Sequence, residues 1–178
     1  MYVILMAISY VILNKSMEKT GTDGLSNNDP AQIFDRISRY CAYQERCTRD
    51  VEQKLTDWKV PRGKISQIMK KLKEESFIDD ERFARLFVRG KFRVNKWGRL
   101  KMQYELKVRS IPEKLIGEAM QEISEDDYIK IIRELILKKK SEIKPGKNLN
   151  IREKIITFVT GKGFEFDLTL ELIKELKI

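Results

Sequence analysis

The strongest constraint on the fold is a helical pattern that repeats along the chain. From Pro30 onward, apolar residues recur at i, i+3, i+4 and i+7, which is the spacing of helices that bury one face. A shift of 51 residues places Leu55 on Leu106, and a further shift of 53 places Leu106 on Val159. Periods of this length indicate one supersecondary unit used several times. We therefore predict an all-α protein of three tandem three-helix repeats that form an elongated, curved array.

The repeats define the predicted domains. These are an N-terminal extension at 1–29 and three-helix repeats at 30–78, 79–123 and 124–178. The nine helices are predicted at 31–45, 49–57, 62–75, 80–95, 99–108, 112–122, 125–141, 150–160 and 166–176. The third repeat matches least well, because Glu165 stands where Pro61 and Pro112 begin the third helices of the other repeats.

Histidine is absent from the sequence. Its absence excludes a Ser-His-Asp triad, a Cys-His pair and His-ligated zinc, and it removes the commonest general base near neutral pH. The two cysteines, Cys41 and Cys47, are too few for a structural zinc site and are predicted to be reduced thiols of a cytoplasmic protein. Residues 161–163 (Gly-Lys-Gly) lack the spacing of a phosphate-binding loop and are predicted to form a turn. We expect a protein that is not an enzyme and needs neither a metal nor a cofactor.

The N-terminal extension begins with an apolar stretch. Residues 1–13 are almost wholly apolar, but they fall short of the ~20 residues that span a bilayer. They also lack the basic region and the cleavage site of a signal peptide. Residues 18–29 are a polar linker, and Met17 is a candidate start, which would make the apolar stretch dispensable. The alternatives are an added strand, an added helix or a segment that touches a membrane.

Acidic clusters lie at both junctions between repeats. In both, an apolar residue lies at the start, Ile78 or Ile123, and an aromatic residue lies five positions later, Phe83 or Tyr128. The acidic residues between them are 79–81 and 125–127. This arrangement is typical of a hydrophobic staple with a capping Asp79 or Ser124. Carboxylates in a first helical turn are stabilised by about 0.3 to 1 kcal/mol each. We interpret the clusters as helix caps, and the alternative is a two-metal nuclease site that would cleave DNA with magnesium.

Positive charge is concentrated in the first two repeats. Residues 34–123 carry 22 basic and 14 acidic side chains, whereas residues 124–178 carry 12 and 10. At about 100° per residue, the second repeat's first helix should bury a face made of Phe83, Ala84, Phe87 and Val88. The opposite face should carry a basic stripe made of Arg82, Arg85, Arg89, Arg93 and Lys96.

The basic stripe suggests an anionic partner. Aligned cations with no acid between them repel one another unless a partner neutralises them, and arginine is well suited to phosphate and carboxylate groups. The alternative is a solvated helix face. Trp97 follows the stripe and either fills a gap between repeats or stacks on a base or a partner surface. The predicted partner-binding or DNA-binding residues are Arg82, Arg85, Arg89, Arg93, Lys96, Trp97, Arg99 and Lys101.

The run from Phe77 to Leu106 resembles the signature region of the RecX family, bacterial regulators of the RecA recombinase. In that family a Leu/Ile-Asp-Asp-Glu-Arg-Phe-Ala stretch precedes a basic helix, a glycine turn and a second helix that ends in Glu-Leu. The matching residues are Asp79, Asp80, Glu81, Arg82, Phe83, Ala84, Gly98, Glu105 and Leu106. The resemblance covers about residues 34–176 and departs in the first 33 residues and in the third repeat.

The resemblance implies a negative modulator that binds the RecA filament on DNA, in its groove or at its end, and suppresses ATP hydrolysis and strand exchange. We further expect a monomer that binds single- or double-stranded DNA weakly, with no membrane and no small-molecule substrate. The alternative is a helix-turn-helix-like repressor that binds DNA without RecA. Such a repressor would normally dimerise and protect one palindromic site.

Overall fold

The structure is a computed structural model that describes residues 29–143 and 150–178. All regular structure in these two ranges is α-helical, which confirms the all-α prediction. Within them the helices are α1 (Pro30–Tyr43), α2 (Thr48–Asp57), α3 (Arg62–Glu74), α4 (Asp80–Arg93), α5 (Arg99–Val108), α6 (Glu113–Met120), α7 (Glu125–Glu142), α8 (Ile151–Gly161) and α9 (Phe166–Glu175). Every predicted helix is present, with each end within two residues of the prediction.

The predicted N-terminal extension lies outside the described residues except for Asp29. The Asp29 side chain accepts a hydrogen bond from the Ala31 amide at 3.2 Å and so caps α1. Among residues 29–143 and 150–178, no helix has the length and apolarity needed to cross a membrane.

The sequence repeat is also a repeat of the backbone. Lys59, Ser110 and Gly163 follow the second helix of each set, and all three have a positive φ, of 59°, 59° and 90°. In the first set the Val60 amide reaches back to the Leu55 carbonyl at 3.1 Å, and the second set contains the corresponding hydrogen bond. This turn ends a helix in a left-handed residue and satisfies its last carbonyls. Its recurrence fixes the direction in which each third helix starts.

Helices α1 to α3 form the first of two compact units, which ends at Asp80. Its core includes the fully buried Ile37, Val51, Leu55 and Leu72. Both cysteines of this unit are buried and form no disulfide. Burial raises the pKa of the Cys41 thiol to about 12, and it does the same for Cys47. The thiols are therefore protonated and unreactive in the folded unit.

The acidic clusters at the junctions have different roles. Asp80 accepts hydrogen bonds from both the amide and the hydroxyl group of Thr48, each at 2.7 Å. Asp80 therefore caps α2. From the sequence, residues 79–81 were predicted to cap α4 alone. Ser124 accepts a hydrogen bond from the Asp127 amide at 3.2 Å and caps α7, as predicted. Within the described ranges, no three His, Cys, Asp or Glu side chains are grouped so that they could hold a metal ion.

Helices α4 to α9 belong to the second compact unit, and Tyr128 is among its fully buried side chains. The buried Tyr128 ring stacks on Phe92, with 6.0 Å between centroids, and packs against Phe164 at 5.1 Å. Its hydroxyl group donates to Glu165 at 2.7 Å and accepts from the Arg99 amide at 2.9 Å. Burial raises the pKa of Tyr128, and the hydrogen bond to Glu165 raises it further. Glu165, which stands where the other two repeats have proline, thus provides the acceptor for the buried Tyr128 hydroxyl group.

Two glycines bring α5 against the turn between α8 and α9. The Gly98 amide donates to the Lys162 carbonyl at 2.9 Å, and the Leu100 amide donates to the Gly163 carbonyl at 3.1 Å. A Cβ atom at Gly98 would collide with the Gly163 backbone. Gly98 itself has an extended conformation, with a φ of −78°. Close approach of two backbones, rather than the predicted turn conformation, is therefore what requires glycine at position 98.

Candidate functional site

Helix α4 divides into a buried and an exposed face, as its sequence predicts. Phe83, Ala84 and Val88 are buried, and Phe87 is half-buried. Phe92 is also buried, which the sequence analysis missed although Phe92 continues the i+4 spacing from Val88. The opposite face is exposed at Arg89 and Arg93, whereas Arg82 is half-buried.

The expectation that no acid interrupts the basic stripe is wrong. Glu122, which follows α6, accepts a hydrogen bond from Arg85 at 2.9 Å and lies 3.6 Å from Arg89. Glu81, one turn earlier on α4, forms a second ion pair with Arg85 at 3.0 Å. Arg85 and Arg89 therefore already have carboxylate partners within the unit.

Lys96 is not part of the helical stripe, since α4 ends at Arg93. Lys96 instead lies in the turn before α5, with a left-handed φ of 54°. Arg99, just beyond this turn, pairs with Glu125 at 2.6 Å, and its guanidinium lies 4.0 Å from the centre of the Tyr128 ring. Arg99 therefore braces the start of α5 against α7, a structural role that the sequence did not indicate.

The remaining cations gather around Trp97, which is half-buried. The Trp97 ring meets the Phe87 ring edge to face, with 6.3 Å between centroids. The ammonium groups of Lys91 and Lys101 lie 4.8 Å and 4.5 Å from the centre of the Trp97 ring. Neither lysine forms an ion pair in the part of the chain that the structure describes. We call Lys91, Trp97 and Lys101 the Trp97 cluster.

Lys162 extends the positive charge beside the Trp97 cluster. Its ammonium group lies 3.5 Å from the Asn95 carbonyl oxygen and 5.4 Å from the centre of the Phe158 ring. A second ammonium group, that of Lys139, lies 5.0 Å from the same ring. Lys162 was not among the predicted site residues, because it reaches the second repeat through the contact between Gly98 and the turn at Lys162 and Gly163, which joins distant parts of the chain.

The predicted site residues therefore fall into distinct sets. Trp97 and Lys101 lie together and are joined by Lys91. Arg85, Arg89 and Arg99 are ion-paired within the second unit. Arg82, Arg93 and Lys96 lie outside the Trp97 cluster, on α4 or in the turn that follows it.

The fold and its charge define a basic, all-helical protein built from three-helix units. A family model described as RecX, second three-helix domain, matches residues 79–120. The regulatory protein RecX of Bacillus cytotoxicus is 28% identical over 153 residues, which are 86% of this chain and 57% of that protein. The regulatory protein RecX of Clostridium acetobutylicum is 29% identical over 132 residues, 72% of this chain and 61% of that protein. The resemblance to the RecX family is thus confirmed.

Solved structures show the same fold. A crystal structure of RecX from Lactobacillus salivarius superimposes with a TM-score of 0.73 and 23% identity, covering 85% of this chain and 99% of that chain. A second crystal structure of regulatory protein RecX gives a TM-score of 0.72 and 24% identity, covering 94% of this chain and 85% of that chain. The chain spans about three fifths of the length of the curated relatives described above.

Proposed function

We propose that this protein is a negative modulator of RecA, which binds the RecA filament on DNA and suppresses ATP hydrolysis and strand exchange. The Trp97 cluster is the observation that carries the proposal. It presents two ammonium groups without a carboxylate partner in the described part of the chain, on a half-buried aromatic ring. The similarity to proteins named regulatory protein RecX, over 86% of this chain, supports the same function.

The Trp97 cluster favours an extended anionic partner on physical grounds. Each lysine gains about 0.5 to 1 kcal/mol from the aromatic face at an exposed site, which restricts its side chain before any partner binds. A phosphate that approaches such a lysine displaces no protein carboxylate. Arg85 and Arg89, in contrast, would have to leave Glu122 or share it. We therefore assign the main phosphate contact of the filament to Lys91 and Lys101, with the exposed Arg93 beside them in the chain.

The proposed mode of action needs no chemistry from this chain. RecA supplies the ATP site, and this protein acts as a monomer that occupies the groove or the end of the filament. Binding to naked single- or double-stranded DNA is expected to be weak. Each phosphate that is neutralised would release counterions, so binding should weaken steeply with salt.

The test compares Lys91→Gln/Lys101→Gln with the unsubstituted protein in an assay of RecA ATP hydrolysis on single-stranded DNA. The double variant should need about tenfold more protein for half-inhibition. The slope of its inhibition against salt should be shallower, by the amount that the loss of about two phosphate contacts predicts. Lys138→Gln/Lys140→Gln is the matched control, because it removes the same charge from exposed positions on α7. The control should inhibit as the parent does.

Two results would contradict the proposal. Failure of the parent protein to inhibit RecA, together with protection of one palindromic DNA site, would instead identify the repressor. Equal loss of inhibition in the control and in the Lys91/Lys101 variant would show that general charge, rather than the Trp97 cluster, governs binding.

A further inference from the structure

Helix α5 exposes apolar side chains on the face that points away from its own core. Leu100, Tyr104 and Val108 are 52%, 66% and 45% exposed. They follow one another at i, i+4 and i+8, so they form a continuous line along the helix, which we call the α5 stripe. Met102 and Leu106, on the opposite face, are fully buried. The fold of the unit therefore uses one apolar face of α5 and leaves the other in solvent.

The other two repeats show that this second apolar face is not needed for the fold. The shifts of 51 and 53 residues give the corresponding positions in α2 and α8. In α2 they are Arg49, Gln53 and Asp57, and in α8 they are Glu153, Thr157 and Gly161, all exposed. Exposed apolar area forgoes about 25 cal/mol per Å² of burial, and at these three positions the second repeat carries that cost while the other two do not.

The edges of the α5 stripe are positively charged. At about 100° per residue, Lys101 borders the stripe on one side and Lys107 borders it on the other. The acid on this helix, Glu105, pairs with Arg109 at 2.6 Å. Lys107 pairs with Glu113 at 3.0 Å, but both side chains are more than half exposed, and such surface pairs contribute about 0 to 1 kcal/mol. A partner with carboxylates could therefore replace Glu113 at little cost.

We propose that the α5 stripe docks an amphipathic helix of a protein partner, whose apolar ridge is flanked by carboxylates on the side that meets Lys107. This inference rests on the proposed function and assigns the protein subunits of the filament, rather than its DNA, to this face. An apolar line gains little from a phosphate backbone, whereas it fits the groove of a facing helix. Tyr104 lies at the middle of the line, and tyrosine is enriched among the residues that dominate protein interfaces.

The experiment replaces the stripe with Leu100→Gln/Tyr104→Gln/Val108→Gln. The three side chains are exposed and glutamine favours helices, so helical content and melting temperature should stay close to those of the parent. Half-inhibition of RecA ATP hydrolysis on single-stranded DNA should need at least about tenfold more of the variant. The slope of that inhibition against salt, and binding to single-stranded DNA alone, should be unchanged. Glu153→Gln/Thr157→Gln is the matched control on α8 and should inhibit normally.

The outcomes separate this inference from the proposed function. Inhibition by the parent protein and equal inhibition by the triple variant would overturn the docking surface and leave the function standing. A parallel loss of binding to DNA alone would show that the stripe contacts nucleic acid, which also overturns the inference. A parent dimer that the three substitutions dissociate would identify a second copy of this chain as the occupant. Failure of the parent to inhibit RecA would overturn both proposals.

Discussion

Removal of the Tyr128 hydroxyl group should destabilise the second unit by about 2 kcal/mol. The hydroxyl group donates to Glu165 and accepts from the Arg99 amide, and Tyr128→Phe leaves both partners without it. A hydrogen bond to a charged group contributes about 1.5 to 3 kcal/mol, and a buried amide left unpaired costs about 1 to 3 kcal/mol. Glu165 is only half-buried, so water should recover part of this loss.

The assay is equilibrium unfolding in urea, with the slope against denaturant expected to stay constant while the midpoint falls. Tyr104→Phe is the matched control, because the exposed Tyr104 loses the same atom and should change stability by less than about 0.5 kcal/mol. A Tyr128→Phe variant within about 0.5 kcal/mol of the parent would refute the assigned role of the hydroxyl group.

A second substitution tests the coupling between Tyr128 and position 165. Pro61 and Pro112 occupy this position in the other repeats with φ near −58° and −56°, and Glu165 has a φ of −67° that proline also adopts. Tyr128→Phe/Glu165→Pro should therefore recover much of the stability lost in Tyr128→Phe, because no carboxylate then lacks its donor. Strictly additive losses would show that the two groups do not interact.

Two further predictions concern the first unit. Lys59→Gly should raise the free energy of unfolding by about 1 kcal/mol. Lys59 has a left-handed φ of 59°, a conformation that costs a non-glycine residue about 1 to 2 kcal/mol. A lower urea midpoint for the variant would contradict this. The pKa values of Cys41 and Cys47 in the folded unit, about 12, exceed the value of 9.0 expected in the unfolded chain. The unfolded chain therefore loses these protons first as pH rises, and the free energy of unfolding should fall from about pH 9 towards pH 12. Cys41→Ala/Cys47→Ala, compared at each pH, should flatten that fall, and an unchanged pH dependence would contradict the assignment.

The helices could be predicted from the sequence because their signals are local. Apolar spacing placed Phe83, Ala84 and Val88 on the buried face of α4, and Ser124 marked the start of α7. The repeat added a second constraint, since each helix end had a counterpart about 50 residues away. Local pattern and repeat agreed, so helix ends came within two residues.

The partners of polar side chains could not be predicted in the same way. Periodicity states which face of a helix is buried and gives no information on which residue meets it. Glu122 reaches Arg85 across 37 positions, and Asp80 reaches Thr48 across 32. These contacts decided which cations of the basic stripe are neutralised, so the candidate site shifted from the middle of α4 to the turn around Trp97.

The backbone contact between Gly98 and Gly163 has a consequence for folding cooperativity. In a simple linear array, each repeat contacts its neighbour through side chains, and the terminal repeat can fray on its own. Here amides at the start of α5 are protected by carbonyl groups more than sixty residues later, so they open only when the third repeat detaches. We therefore expect the second and third repeats to unfold as a single cooperative element, whose formation requires the closure of a long loop.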